Sequence, residues 1–323
     1  MQTTELRIKN SEFRIKDGID RKLAVDLSEI SGSEVFELFA LSNKARINLR
    51  GGKIDLCSII NAKSGACLED CSFCAQSAYS KTDIKVYPLI DKKKILEAAA
   101  AAKENGVRRF CIVTSGKKPS DSELNEICRF ISDIKSSGLL PCATLGILGY
   151  DELKRLKDAG LHRYHHNLET SEAFFKEICT THTYREKIKT IEAAKSLGFS
   201  ICSGGIFGLG ESWEDRIDMA FALKELGVDS VPVNFFAPVK GTRLEDKGLL
   251  NPLEALKIIA VYRLILPQCE IRVCGGRHAA LRELHPYIFL AGADGFLMGN
   301  YLTTLGRDPM DDLRMIKDMG LEL

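Results

Sequence analysis

Three cysteines lie close together in residues 63–79: Cys67, Cys71 and Cys74, with three residues and then two between them. This spacing can bring three thiols to one point on a short loop, and thiolates are the usual ligands of iron–sulfur clusters. Three ligands leave one iron of a four-iron cluster without a protein partner, and an open metal position can bind a small molecule. Structural zinc needs four ligands, and no histidine occurs before position 162, so a local Cys₃His site is absent. A disulfide is the other alternative, and the open-site cluster is the favoured interpretation.

The segment resembles the signature of the radical S-adenosylmethionine (SAM) enzymes, in which three cysteines hold a 4Fe-4S cluster. The resemblance implies that the open iron binds SAM and that an electron from the cluster splits its sulfonium. The product is a 5′-deoxyadenosyl radical, which abstracts hydrogen from unreactive carbon. Phe73, directly before the last cysteine, matches an aromatic residue that packs near the adenine in that family. Cys67, Cys71 and Cys74 are therefore the expected catalytic and metal-binding residues.

The charge balance and the cysteine content restrict the class of protein. The 323 residues include 45 Lys and Arg and 44 Asp and Glu, so the net charge is +1 and no nucleic-acid or membrane partner is expected. No apolar run reaches the ~18 residues that a membrane helix needs. The polar N-terminus lacks the apolar segment of a signal peptide. Eleven cysteines without such a signal indicate a reduced, cytoplasmic setting, where cysteine clusters bind metals or act in catalysis.

From residue 53 onward, short apolar runs alternate with amphipathic runs that end in glycine. The predicted strands are residues 54–60, 109–115, 140–145, 163–168, 199–207, 230–236, 270–274 and 295–298. Helical patterns lie between them: Asp91 is a candidate N-cap for a helix that stops at Gly106, and residues 171–197 form one or two helices. Strands that alternate with helices indicate parallel βαβ units. At this length the simplest closure is a (β/α)₈ TIM-type barrel, and an open doubly wound sheet is the alternative.

No linker, low-complexity tract or block of charge interrupts this pattern. We therefore expect residues 1–323 to form a single domain. Residues 1–50 are expected to be a helical N-terminal extension, and the barrel is expected to cover about residues 53–320. Within the extension, Ser31 is a candidate N-cap for a run of apolar residues at helical spacing.

Four further cysteines fall inside predicted strands: Cys111, Cys142, Cys202 and Cys274. A single buried cysteine usually acts as a small hydrophobic residue. We assign this packing role to the four cysteines that lie outside both the loop and this set, which are Cys57, Cys128, Cys179 and Cys269. Four cysteines on different strands of one barrel are harder to explain by packing, because inward-facing side chains would converge on the barrel axis.

Five stretches of the chain resemble the biotin synthase family. They are residues 64–77, 109–111, 142–146, 166–171 and 202–211, and the later Val239-Lys-Gly-Thr also matches. The likeness covers about residues 55–320, and the motifs together are very specific because their spacing also matches. The resemblance implies a (β/α)₈ barrel and the last step of biotin synthesis, in which sulfur is inserted between two carbons of dethiobiotin. One SAM is consumed for each C–H bond broken.

The resemblance also implies a second, sulfur-donating cluster inside the barrel. In the family it is a 2Fe-2S cluster held by three cysteines and an arginine, which correspond here to Cys111, Cys142, Cys202 and Arg272. This chain departs from the family at Cys274, where the family usually has serine or another small residue. Residues i and i+2 of a strand face the same way, and thiolate is the usual ligand, whereas a guanidinium has no lone pair to offer readily. We therefore expect Cys274 rather than Arg272 to be the fourth ligand of a 2Fe-2S or a four-iron auxiliary cluster.

Contacts to SAM and dethiobiotin are implied for five further residues. These are Asn167, Glu169, Gly204, Gly205 and Asn234. The family often has aspartate where Glu169 stands, and the two glycines would let the backbone approach a ligand closely. His162, His165 and His166 are expected to be solvated or hydrogen-bonded at a strand end rather than to bind a metal.

Two alternatives remain open. One is another radical SAM enzyme that acts on a small molecule, with the strand cysteines as packing. The other is an iron–sulfur electron carrier or scaffold, which is disfavoured because an exposed open iron is a liability in simple electron transfer. The resemblance further implies a low-potential reductant, such as flavodoxin or ferredoxin, and a homodimer.

Overall fold

The computed structural model of the chain describes residues 16–323, and at its centre is a sheet of nine strands. The strands are β1 (Asp55–Lys63), β2 (Arg109–Thr114), β3 (Leu140–Thr144), β4 (Arg163–His165), β5 (Ser200–Cys202), β6 (Gly205–Phe207), β7 (Ser230–Phe235), β8 (Glu270–Val273) and β9 (Gly295–Leu297). All pairings between these strands are parallel, as expected of βαβ units. Each predicted run contains at least one strand.

The sheet is a closed barrel. Its strand order is β5, β4, β3, β2, β1, β9, β8, β7, β6, and an additional pairing between β5 and β7 closes the ring. β5 and β6 occupy one strand position, because only Ser203 and Gly204 separate them, so the barrel has eight positions. The interruption occurs where the Gly204 N–H donates to the Asn167 side chain (3.1 Å). The predicted (β/α)₈ barrel is confirmed, the doubly wound alternative is wrong, and residues 199–207 form two short strands instead of one.

Helices fill the connections and surround the barrel. They are α1 (Arg21–Ser28), α2 (Glu34–Arg50), α3 (Lys92–Glu104), α4 (Asp121–Ser136), α5 (Tyr150–Asp158), α6 (Glu172–Ile178), α7 (Tyr184–Ser196), α8 (Trp213–Leu226), α9 (Pro252–Ile265), α10 (Arg277–Leu281), α11 (Tyr287–Leu290) and α12 (Pro309–Asp318). Asp91 caps α3 as predicted, since its side chain accepts from the Lys94 N–H. The predicted helical region 171–197 consists of α6 and α7. Across residues 16–323, no helix is both long enough and apolar enough to cross a membrane.

The N-terminal extension packs against the last part of the barrel. α2 contacts α9 and α11, buries Leu38 and Phe39, and is tied to the barrel by a 2.7 Å hydrogen bond from Ser42 Oγ to the Ala291 carbonyl. The predicted helical character is confirmed for α1 and α2. The cap position of α2 is Ser33 rather than the predicted Ser31, and residues 1–15 lie outside the described part.

A layer of charged side chains fills the barrel at the amino ends of its strands. It consists of Asp55, Arg109, Arg163, Glu270 and Arg272. Arg163 Nη1 and Arg272 Nη2 both donate to Glu270 Oε2, at 2.7 and 2.9 Å. Burial raises the pKa of Glu270, but the charges of the three arginines outweigh burial and hold this pKa well below its usual range. The interior of the barrel is therefore available for a ligand only towards the carboxyl ends of the strands.

Arg263 of α9 is a fully buried charge, and we expect its loss to destabilise the fold. Its guanidinium donates to the Asp294 carboxylate and to the carbonyls of Gly292 (2.9 Å) and Cys269 (2.8 Å). In Arg263→Met the Asp294 carboxylate keeps the Ile271 N–H (2.7 Å) but loses its hydrogen-bonded guanidinium. This loss is expected to lower the free energy of unfolding by about 3–5 kcal/mol. Urea unfolding measures this loss. The exposed control Arg185→Met is expected to change stability by less than about 0.5 kcal/mol, and an equally small change in Arg263→Met would contradict the prediction.

Candidate functional site

A cavity of about 460 Å³ opens at the carboxyl ends of the barrel strands. This is the face where (β/α)₈ barrels carry their active sites. Its wall contains both groups of predicted cysteines, which are Cys67, Cys71, Cys74, Cys111, Cys142, Cys202 and Cys274. The first group lies on the loop after β1 and the second on or beside the strands. The tertiary fold therefore brings both predicted centres to one enclosed space.

The loop that carries Cys67, Cys71 and Cys74 begins with a left-handed turn after β1. Gly65 has a φ of 74°, and a Cβ at this position would lie 2.6 Å from Val86 Cγ2, so glycine is required. The Cys74 N–H donates to the Cys71 carbonyl (3.0 Å), and the N–H of residue 78 donates to the Cys67 carbonyl (2.7 Å). These backbone hydrogen bonds hold all three cysteines on one compact loop, although their three sulfur atoms do not all lie within 4.8 Å of one another.

The donor set of this loop fits a metal cluster with one open position. All eleven cysteines of the chain have free thiols, so no disulfide occupies a candidate ligand. Burial raises the pKa of the Cys74 thiol to about 11, and its proton must therefore be displaced when a metal binds. Phe73, the predicted adenine contact, lies in the cavity wall beside Cys74.

Asn167 and Glu169 reach the cavity from the segment that follows β4. Asn167 Oδ1 accepts the Gly204 N–H (3.1 Å) and lies 2.8 Å from His165 Nε2, while its Nδ2 donates to Glu169 Oε2 (3.3 Å). Glu169 has a φ of 75°, a strained left-handed backbone for a residue with a side chain. Burial raises the pKa of its carboxyl group. Both side chains are thus fixed in place before a ligand arrives.

Gly204 and Gly205 have a packing role that the sequence analysis did not identify. A Cβ at Gly204 would lie 2.2 Å from the Pro232 carbonyl oxygen, and one at Gly205 would lie 2.4 Å from the Glu169 carbonyl oxygen. Both glycines are therefore needed for neighbouring backbones to approach, and their role in cofactor binding stays a prediction. Asn234 lines the cavity, and its Nδ2 donates to the Gly205 carbonyl (3.0 Å).

The four strand cysteines are buried, and all four face the cavity. Cys111 of β2 pairs directly with Cys142 of β3 in the parallel register. Cys202 ends β5, and Cys274 follows β8 directly. Hydrogen bonding to Cys142, together with burial, raises the pKa of the Cys111 thiol. The structure thus brings these thiols together in one wall, and their role as cluster ligands stays a prediction.

Cys57 on β1 belongs to the same group of thiols, although the sequence analysis assigned it to packing. It lines the cavity beside Cys274. Its sulfur lies 3.8 Å from the Phe296 carbonyl oxygen. The neighbouring Cys274 thiol lowers the pKa of Cys57 to about 7, and that of Cys274 is raised. Cys57 therefore contributes to the cavity wall, and whether it only packs stays a prediction. The period of two along β1 could have identified it, because Ile59 also lines the cavity.

The guanidinium of Arg272 is held by carboxylates. Nη1 donates to the Asp55 carbonyl (3.1 Å), and Nη2 donates to Glu270 (2.9 Å) and to the Asp55 carboxylate. Among the described residues, the buried Nε has no hydrogen-bond partner. Arg272 is therefore bound into the charged layer, with one donor unused.

The histidines near β4 have protein partners. His162 and His165 are hydrogen-bonded, at 3.1 Å to Arg109 and 2.6 Å to Thr144, and His166 is stacked on Tyr164. Within residues 16–323, one group of three potential metal ligands converges, and it consists of Cys71, Cys179 and His182. None of the histidines near β4 takes part in it. His162 and His165 are hydrogen-bonded as expected, whereas the buried His166 Nε2 has no hydrogen-bond partner among the described residues.

Two family profiles match the chain. The Radical SAM superfamily matches residues 62–223, which contain the cysteine loop and β2 to β6. The Biotin and Thiamin Synthesis associated domain matches residues 232–322, which contain most of β7 and all of β8 and β9. Both matched regions therefore contribute strands to the closed barrel.

Similar proteins support the same assignment. The biotin synthase of Thermodesulfovibrio yellowstonii is 54% identical over 297 residues, covering 92% of this chain and 94% of that protein. The biotin synthase of Pelotomaculum thermopropionicum is 49% identical over 313 residues, covering 96% and 98%. Among solved structures, methylornithine synthase (PylB) superposes with a TM-score of 0.84 at 20% identity over 98% of this chain and 96% of its own, a likeness of fold. The chain therefore belongs to the biotin synthase family of the radical SAM superfamily.

Proposed function

We propose that the chain inserts a sulfur atom into dethiobiotin to form biotin, in a reaction that consumes SAM. The observation that carries this proposal is the single cavity whose wall holds the three loop cysteines and the four strand cysteines. Cleavage of SAM requires only the first group. Sulfur transfer requires the second group within reach of the same substrate, and this cavity provides that arrangement.

Cys67, Cys71 and Cys74 would hold a 4Fe-4S cluster, which supplies an open iron for SAM and the electron for its cleavage. Phe73 would pack on the adenine. Asn167 and Glu169 would contact SAM and dethiobiotin, as would Asn234 and the backbone beside Gly204 and Gly205. The hydrogen bond from the Gly204 N–H to Asn167 supports this role, because it orients the amide before a ligand binds.

Part of the cavity wall is apolar. Ile59, Val113, Leu297 and Leu302 contribute apolar surface to it, and the charged layer fills the barrel on the amino side. A radical in such a space is protected from side reactions with solvent. The wall would also restrict the position of dethiobiotin relative to the strand cysteines.

We assign the auxiliary cluster to Cys111, Cys142, Cys202 and Cys274, with Arg272 as a supporting residue. The four buried thiols share one wall of the cavity, whereas the Arg272 guanidinium is held by Asp55 and Glu270. Arg272 would then influence the cluster through its charge and its remaining N–H donor. Four thiolates suit a four-iron cluster, or a 2Fe-2S cluster ligated only by cysteine.

The proposal includes three further properties. Residues 1–323 would form one domain, because one closed sheet joins both family-matched regions. A low-potential reductant such as flavodoxin or ferredoxin would supply electrons, since SAM cleavage is reductive. The homodimer follows from family likeness alone.

The substrate is tested with enzyme that has been purified without oxygen and supplied with iron, sulfide and a reductant. Dethiobiotin is expected to accelerate 5′-deoxyadenosine formation, and biotin is expected to appear with two 5′-deoxyadenosines per biotin, one for each C–H bond broken. The control omits dethiobiotin. Stimulation by several related small molecules but not by dethiobiotin would indicate another radical SAM enzyme, and a complete lack of SAM cleavage would indicate an electron carrier.

A further inference from the structure

A second set of metal ligands lies against the cysteine loop. Cys71 Sγ, Cys179 Sγ and a ring nitrogen of His182 all lie within 4.8 Å of one another. Cys179 and His182 belong to the connection between α6 and α7, and both are buried. The Ser72 N–H donates to the Ile178 carbonyl (2.8 Å), which fixes this connection against the loop. A thiol and an imidazole from one segment thus meet a thiol from another.

The spacing of these atoms matches a tetrahedral zinc site. Zn–S bonds of about 2.3 Å and Zn–N bonds of about 2.0 Å at tetrahedral angles place two sulfurs about 3.8 Å apart and a sulfur and a nitrogen about 3.5 Å apart. The Cys71 Sγ–Cys179 Sγ distance is 3.8 Å, and the Cys179 Sγ–His182 Nδ1 distance is 3.3 Å. An ion would therefore fit with small movements of the side chains.

The environment of His182 favours a cation over a catalytic nucleophile. In a nucleophilic triad, the nucleophile and the carboxylate occupy opposite nitrogens of the imidazole. Here the Cys179 sulfur lies 3.3 Å from Nδ1 and 3.8 Å from Nε2, and the Glu69 carboxylate contacts the same Nδ1. The three potential ligand atoms lie close together, and the Glu69 carboxylate places negative charge beside them.

We propose that the cluster-free chain binds one Zn²⁺ ion through Cys71, Cys179 and His182. The ion displaces one proton from each of the two thiols to solvent. It also takes the place of the His182 Nδ1 proton, which moves to Nε2 as the hydrogen bond to Glu69 opens, and a fourth position stays open, as in Cys₂His sites. Cys71 is also a ligand of the loop cluster in the proposed function, so zinc and that cluster exclude each other. The zinc site itself does not depend on the proposed function, whereas the exclusion does.

The site is tested on the full-length chain, reduced and prepared without iron or sulfide. Titration with Zn²⁺ against a chromophoric chelator is expected to show one tight site, and Co²⁺ is expected to give the absorption of tetrahedral thiolate coordination. Cys179→Ser and His182→Gln are each expected to weaken Zn²⁺ binding by at least about 100-fold, the upper end of the effect of losing an outer-shell partner. Cys67→Ser and Cys74→Ser are matched controls that should retain the affinity.

If Cys67→Ser and Cys74→Ser abolish binding while Cys179→Ser and His182→Gln retain it, the ion is bound by the loop alone and the proposal is wrong. Circular dichroism of the metal-free variants checks folding, and His182→Gln decides the result if Cys179→Ser fails to fold.

A second experiment tests the competition between zinc and the loop cluster. Wild-type chain loaded with Zn²⁺ should take up less iron than zinc-free chain, and zinc should have no such effect in Cys179→Ser. Unchanged iron uptake by zinc-loaded wild type would overturn the exclusion and the Cys71 cluster assignment, and leave the zinc site in place.

Discussion

Replacement of Cys67, Cys71 or Cys74 with alanine is expected to abolish SAM cleavage while the chain stays folded. Each change removes one of three ligands from the proposed loop cluster, and a two-ligand site does not hold its metal at a fixed open position. Formation of 5′-deoxyadenosine should fall at least about 1000-fold, which corresponds to about 4 kcal/mol of activation free energy. The three residues lie on a loop rather than in a barrel strand, so urea unfolding should change little.

Cys128→Ala is the matched control, because Cys128 is a partly buried cysteine on α4, outside the cavity wall. It is expected to retain normal cleavage. Cys179 lies 3.8 Å from Cys71 and is a potential substitute ligand, so Cys71→Ala is also measured together with Cys179→Ala. Retained 5′-deoxyadenosine formation in all three single variants would contradict the assignment of Cys67, Cys71 and Cys74 as cluster ligands.

Cys274→Ser is expected to stop biotin formation without stopping SAM cleavage. The serine hydroxyl is a poor ligand for iron compared with thiolate, so the auxiliary site should lose iron and sulfide while the loop cluster remains. Biotin yield should fall at least about 100-fold, or about 2.7 kcal/mol. Arg272→Ala should instead keep most of its iron, because the guanidinium is held by Asp55 and Glu270.

Two controls make the comparison between Cys274 and Arg272 interpretable. Cys269→Ser changes a partly buried cysteine outside the cavity wall and should leave both clusters intact. Arg272→Ala removes the guanidinium that is hydrogen-bonded to the Asp55 carboxylate, while Glu270 keeps its ion pair with Arg163 (2.7 Å). This loss is expected to cost about 3–5 kcal/mol of stability, so iron is counted on folded protein below its unfolding temperature. A normal iron count and a normal biotin rate in Cys274→Ser would mean that the cysteine only packs and that arginine is the ligand.

The sequence by itself determined the alternation of strands and helices and the cysteine loop, whereas closure of the barrel became certain only with the pairing of β5 and β7. Strand and helix patterns are local: the alternation of short apolar runs with capped amphipathic runs, such as the one that Asp91 begins, specifies βαβ units. The three-and-two spacing of Cys67, Cys71 and Cys74 is also local, because one short loop carries all three cysteines. Local patterns also predicted where strands and helices lie, to within a few residues.

Only the tertiary structure decided the partners of residues that are far apart in the chain. Cys57 lies close to Cys274 because β1 and β8 both flank β9 in the closed ring. No local sequence pattern could have predicted that these two residues are close in space. Arg272 is held by Asp55 for the same reason. The sequence predicted that the Arg272 guanidinium lies beside a cluster, but in the fold it is paired with the Asp55 carboxylate of another strand.

The clearest case is the pair of residues beside Cys71. The sequence excluded a local zinc site because no histidine stands near the cysteine loop, and it treated Cys179 as a packing residue. In the fold, the connection between α6 and α7 lies on that loop and places Cys179 and His182 next to Cys71. Sequence spacing restricts only neighbours within a few residues, whereas contacts across more than 100 residues depend on how the strands close the barrel.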